Sequence, residues 1–182
     1  MLLSSTHMKC SARLILLFLV VLLPGGWLGA QTAPTAQVPP LAEQPYRQGM
    51  VALQKGDLRT AIRKLRLAVK YAPKSPTTHN SLGCAYLENG QADRAVTEFR
   101  NAIALGPYFT EAYLNMARAL ERRQDLDAAI QFYQYALRQR PDWADAHYEL
   151  ALALRAKGRH AEASAEFEKA HELDPRLRPP RD

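Results

Sequence analysis

From about residue 46 onward, the apolar positions follow helical registers instead of alternating. Leu82, Tyr86 and Leu87 fall at i, i+4 and i+5, and Ala95, Phe99, Ala102 and Ile103 form a second such run. Spacings of three and four place side chains on one face of an α-helix. Gly90 separates the two runs and Pro107 follows the second. Glycine readily takes the left-handed conformation that ends a helix. Proline cannot donate a backbone hydrogen bond and clashes with the preceding turn. The stretch therefore predicts two helices joined by a tight turn and packed antiparallel.

The same pattern recurs with a period of 34 residues. Ala61, Ala95, Ala129 and Ala163 form one column, and Ala68, Ala102, Ala136 and Ala170 another. Pro73, Pro107, Pro141 and Pro175 form a third. A large apolar column reads Leu65, Phe99, Tyr133, Phe167, a small one Gly49, Gly83, Ala117, Ala151, and a turn column Gly56, Gly90, Gln124, Gly158. Six columns without an insertion define four units, at 42–75, 76–109, 110–143 and 144–177, followed by a short tail at 178–182. One such hairpin cannot bury its own apolar face, so stacking is required. The small column predicts where the two helices of a unit approach closely. In the last unit, Ser164, Glu166, Lys169 and His171 replace Ile130, Phe132, Tyr135 and Leu137 of the third. That polar substitution predicts a self-capping end to a monomeric array.

The period and its fixed residues resemble the tetratricopeptide repeat family, whose unit carries a Leu-Gly pair, an aromatic, an Ala, a Phe, an Ala and a Pro at set offsets. The second unit matches throughout, with Leu82-Gly83, Tyr86, Ala95, Phe99, Ala102 and Pro107. The third and fourth carry Ala117 and Ala151 for the glycine, and Leu120 and Leu154 for the aromatic. The first departs furthest, with Gln48 and Ala52 in the Leu and aromatic slots. The resemblance implies an all-α, right-handed superhelical solenoid whose first helices line a concave groove. In this register the groove residues are Tyr46, Arg47 and Met50; Asn80, Ser81, Cys84 and Leu87; Glu111, Leu114, Asn115, Arg118 and Arg122; and Tyr148, Glu149, Leu152 and Arg155. Such a mixed surface suits an extended peptide or a partner's helix. One branch of the family grips a C-terminal carboxylate with lysine, arginine and asparagine. Only Asn115 falls on that pattern, and the acids Asp145 and Glu149 flank it, so a carboxylate clamp is not expected. The resemblance identifies a scaffold and not a reaction.

Residues 1–30 differ from the rest. They hold no Asp or Glu, carry Lys9 and Arg13, and contain the unbroken apolar run 14–23 before Pro24-Gly25-Gly26. A basic start, a short apolar stretch and a small residue at Ala30 read as a secretory signal peptide. Ten helical residues rise ~15 Å, about half of a bilayer core. Cleavage near Ala30 would place the chain in the periplasm or outside the cell and would remove Cys10. Retention of 14–30 as an inner-membrane anchor is the alternative. Residues 31–41, rich in Ala, Pro and Gln, read as a semi-extended linker.

Charge is uneven. The chain carries 24 Lys and Arg against 18 Asp and Glu. By unit the net charge is +6, −1, 0 and −2. Arg59, Arg63, Arg66 and Lys70 follow i, i+4, i+7 and i+11, one stripe of one helix. The stripe suits a solvated outer face or contact with an anionic membrane surface or acidic partner. Export argues against nucleic acid. No phosphate-binding glycine loop, HExxH or GxSxG motif occurs, and the histidines lack metal-ligand spacing. No enzyme activity, cofactor or metal is expected. The predicted function is a protein–protein interaction scaffold, alternatively a tethered assembly factor for an envelope complex.

Overall fold

The structure is a computed structural model that describes residues 38–180. The signal segment, Cys10 and the linker up to residue 37 lie outside the described residues. Eight α-helices follow in order: α1 (Pro40–Gln54), α2 (Leu58–Tyr71), α3 (Pro76–Glu88), α4 (Ala92–Leu105), α5 (Thr110–Arg122), α6 (Leu126–Gln139), α7 (Ala144–Ala156) and α8 (His160–Leu173). No strand occurs among the described residues. Each odd-numbered helix packs on the even one that follows it, and each even one on the next odd one. The result is an all-α solenoid.

Local chemistry explains the boundaries. The Asp57 and Asp125 carboxylates accept from the backbone N–H of Thr60 and Ala128, capping α2 and α6. Ser75 does the same for α3 through the Thr78 N–H. α1 begins two residues earlier than the sequence predicts, inside the stretch read as linker. Pro39 stands at the cap with φ −54° and ψ 147°, and Pro40 opens the helix at a position where a missing N–H costs nothing. Pro45 is then carried inside the helix, which is tolerated in the first turns only by giving up one internal hydrogen bond.

Each hairpin is held by a close approach. A Cβ on Gly83 would stand 2.6 Å from Phe99 Cε1 and 2.8 Å from Cδ1, and one on Gly49 would stand 2.7 Å from Leu65 Cγ. Neither distance is possible for a real side chain. Phe99 and Leu65 are fully buried, as are Tyr133 and, nearly so, Phe167 in the same register. Along α8, the slots that bury Ile130 and Leu137 in α6 hold exposed Ser164 and His171.

The turn column carries one exception to glycine. Gly56, Gly90 and Gly158 adopt φ of 73°, 75° and 75°, and Gln124 adopts 64°. A side chain in that left-handed region costs ~1–2 kcal/mol, partly offset by the lower chain entropy of a non-glycine residue. Gln124→Gly is therefore expected to stabilise the protein by about 0.5–1 kcal/mol, a rise in Tm of roughly 1–4 °C. Gly90→Gln is expected to lower Tm by a similar amount. Thermal melts of the two variants check this.

Candidate functional site

The first helices α1, α3, α5 and α7 carry all sixteen residues that the sequence assigns to the groove. They divide by exposure. Asn80, Ser81, Cys84, Leu87, Leu114, Asn115 and Glu149 are buried. Tyr46, Met50, Glu111, Arg118, Tyr148, Leu152 and Arg155 are half-buried, and Arg47 and Arg122 are exposed.

A polar row joins these helices across repeat boundaries. The Ser81 hydroxyl donates to the Tyr46 hydroxyl at 3.3 Å, linking α3 to α1. Asn115 Nδ2 donates to Asn80 Oδ1 at 3.0 Å and stands 3.5 Å from Cys84 Sγ, linking α5 to α3. Arg118 donates one N–H to Asn115 Oδ1 at 3.0 Å. Its other face meets the Glu149 carboxylate with two bonds of 2.7 Å, linking α5 to α7. This two-bond geometry is the strong form of an arginine–carboxylate pair. Burial opposes the Arg118 charge, but Glu149 more than offsets it and holds the guanidinium pKa above its ordinary value. Glu149 is therefore no bare acid repelling a ligand, and Arg118 is already committed. One donor is left over. Asn80 Nδ2 is buried and has no hydrogen-bond partner among the described residues, although such groups are normally satisfied.

Several groove residues also serve the core. The Tyr148 ring meets Phe167 edge-on at 5.3 Å. Arg155 stands over Phe167 at 5.8 Å and donates to the Pro180 carbonyl at 3.4 Å. Glu111 pairs with Arg140 at 3.2 Å.

Sequence reasoning missed three pairings. Glu121 accepts from the buried Tyr133 hydroxyl at 2.6 Å. Burial raises the Glu121 carboxyl pKa, against the pull of that hydrogen bond. His79 and His147 each bridge two partners. His79 Nδ1 lies 2.7 Å from Glu98 Oε2 and Nε2 lies 3.0 Å from the Pro73 carbonyl. His147 repeats this with Glu166 at 2.6 Å and the Pro141 carbonyl at 2.8 Å. In the intervening unit Tyr113 holds the slot, donates to the Pro107 carbonyl at 3.1 Å and stacks on Tyr135 at 4.3 Å. The signal was present as a shared spacing of 19 residues from histidine to glutamate. Arg59, Arg63, Arg66 and Lys70 are all exposed on α2. Among the described residues, no group of three or more His, Cys, Asp or Glu is placed to hold a metal ion.

A repeated helical hairpin carrying a polar row on its first helices defines a helical-repeat protein. Family models described as tetratricopeptide repeat match residues 46–107, 80–142 and 144–177. The chain belongs to the tetratricopeptide repeat family. No curated protein matches it. Among solved structures, a crystal structure of MamA protein is 27% identical, covers 74% of each chain and superposes with a TM-score of 0.68. The first TPR of Spaghetti (RPAP3), bound to the HSP90 peptide SRMEEVD, is 23% identical with a TM-score of 0.63, covering 65% of this chain and 94% of its own. YrrB, described as a TPR protein with an unusual peptide-binding site, is 23% identical with a TM-score of 0.66, covering 74% and 69%. The last two show the fold alone.

The His79 bridge makes stability pH-dependent. The Pro73 carbonyl can only accept, so Nε2 carries a proton, and the Glu98 carboxylate favours a second proton on Nδ1. The Glu98 hydrogen bond raises the His79 pKa, with burial opposing it. A raised folded-state pKa gives stability that is fully present below the unfolded value near 6.5 and is lost as pH rises through the folded value. Denaturant unfolding is expected to show a larger deficit for His79→Gln at pH 6 than at pH 8. Equal deficits at both pH values would exclude the charged bridge.

Proposed function

We propose that the chain is a non-catalytic scaffold whose first-helix groove binds an extended segment of a partner protein. One observation carries this reading. A hydrogen-bonded row ties the first helices together from α1 to α7 and leaves half-buried or exposed polar, aromatic and apolar side chains on α1, α5 and α7. The half-buried Tyr46, Met50, Tyr148 and Leu152 and the exposed Arg47 and Arg122 are the groove positions open to a ligand. Arg118 is consumed by Glu149, so it does not serve to grip a terminal carboxylate. The peptide seen on the repeat of Spaghetti (RPAP3) supports a peptide as the kind of ligand.

The basic, acid-free start and apolar run 14–23 support export, with the scaffold acting in the periplasm or beyond the cell. A retained 14–30 anchor would make it a membrane-tethered assembly factor. Among the described residues no helix is long and apolar enough to cross a membrane.

The test starts from the full-length chain expressed in a bacterial host, with the mass of the recovered product recorded. A soluble product beginning at Gln31 supports export and cleavage, and an uncleaved membrane-bound product supports the tether. The same product is then used to select from a random peptide library. Selected peptides are expected to bind Arg47→Ala/Arg122→Ala about tenfold more weakly, the effect of lost charge-assisted hydrogen bonds from exposed groove positions. They are expected to bind equally as free acids and as C-terminal amides. Absence of enrichment, or binding indifferent to Arg47 and Arg122, would contradict the groove assignment.

A further inference from the structure

The outer face of α2 differs from the outer faces of the other second helices. Arg59, Arg63, Arg66 and Lys70 form a line about 16 Å long, from eleven helical steps. Shifted by one period, the same slots hold Asp93, Thr97, Arg100 and Ala104 on α4 and Asp127, Gln131, Gln134 and Arg138 on α6. On α8 they hold Ala161, Ala165, Glu168 and Glu172. The stripe charge therefore runs +4, 0, 0 and −2 along the solenoid.

The repeat-to-repeat ion pairs show what this change removes. Asp93 on α4 pairs with Arg123 after α5 at 3.1 Å, and Asp127 on α6 pairs with Lys157 after α7 at 2.9 Å. Each acid reaches the same slot of the following unit. In the first unit the acid is replaced by Arg59, and the receiving slot holds the neutral Asn89. The pairing device is thus absent at this position and a cation stands in its place. Ile62 and Leu67 line a shallow depression of about 520 Å³ among Arg59, Arg63, Arg66 and Lys70, so apolar surface lies between the charges. Asp57, the cap of α2, has its carboxyl pKa lowered mainly by the Thr60 hydrogen bond and to a smaller degree by the charges of Arg63 and Arg59.

We propose that the outer face of α2 docks on an anionic lipid surface. This goes beyond the groove assignment, because α2 belongs to the other helix row. Charge complementarity is the argument, and the form of the stripe selects lipid over an acidic protein. Its four cations lie along one face of α2 and, among the described residues, make no ion pair or hydrogen bond that fixes their positions, so they respond to charge density and not to the shape of a partner. A fluid layer of anionic headgroups matches such a line without registered contacts, and Ile62 and Leu67 can face the interface between the headgroups.

The experiment is co-sedimentation of the full-length chain with two kinds of vesicle. One is pure phosphatidylcholine, and in the other about one third of the lipid is phosphatidylglycerol. The N-terminal segment, including Lys9 and Arg13, is common to all variants and cancels in comparisons between them. The stripe variant is Arg59→Gln/Arg63→Gln/Arg66→Gln/Lys70→Gln. The control is Thr97→Glu/Arg100→Glu/Ala104→Glu, which changes the net charge equally on exposed positions of α4. The wild type is expected to prefer anionic vesicles, and the stripe variant is expected to lose about tenfold or more of that preference. The control is expected to keep it. As a second reading, wild-type preference is expected to fall with added salt, as screening shortens the range of surface charge. The proposal is overturned if the stripe variant binds as the wild type does, if both variants lose binding equally, or if the wild type shows no preference. Wild-type binding to soluble polyglutamate without any vesicle preference would also overturn it and would assign the stripe to an acidic protein.

Discussion

The distance between the two helices of a hairpin is set where a glycine or alanine of the first helix lies in register with a large buried side chain of the second. In the second unit, Gly83 leaves room for Phe99 to lie flat against the α3 backbone. Gly49 does the same for Leu65 in the first. Ala117 and Ala151 fill the slot in the third and fourth units, with Tyr133 and Phe167 as the large members. Everything else is referenced to that contact. It fixes how deeply the second helix buries Ala61, Ala95, Ala129 and Ala163, all of which are essentially inaccessible. It also fixes the step from one hairpin to the next, and hence which side chains of adjacent first helices meet.

The polar row follows from that step. Residues 31 and 35 apart in sequence become neighbours across a repeat boundary, as Arg118 with Glu149 and Asn80 with Asn115 show. Ion pairs 30 apart use the same geometry on the outer side. One spacing rule thus builds two surfaces of different character. The first-helix row spends its charge internally and leaves a single unsatisfied amide. The second-helix row spends its charge on neighbouring repeats, except in the first unit, where four cations remain in line.

The fold was legible because its period is a geometric constraint that every unit must meet. Pro73, Pro107, Pro141 and Pro175 mark the ends of the second helices, and the turn column marks the left-handed residue, including its non-glycine member Gln124. The linker boundary was less legible. A run of Ala, Pro and Gln reads as extended chain, yet a proline at a helix start is favourable, and α1 begins at Pro40. At the site, the register placed the groove residues on the correct helices but could not say which of them were already paired. Arg118 and Glu149 read as two separate ligand contacts, and the structure joins them. The histidines read as isolated because a metal-ligand search uses short spacings, whereas His79 and His147 reach their glutamates across a hairpin.

The central claim is that the Gly83–Phe99 contact sets the hairpin geometry, and denaturant unfolding of Gly83→Val, Phe99→Leu and the double variant tests it most directly. Valine at this slot overpacks a buried ring, a cost of about 1–3 kcal/mol. Phe99→Leu alone leaves space unfilled and is destabilising by a similar amount. If the two positions share one space, the double variant loses less than the sum of the singles by about 0.5 kcal/mol or more. Additive losses, or a Gly83→Val chain as stable as the wild type, would contradict the account.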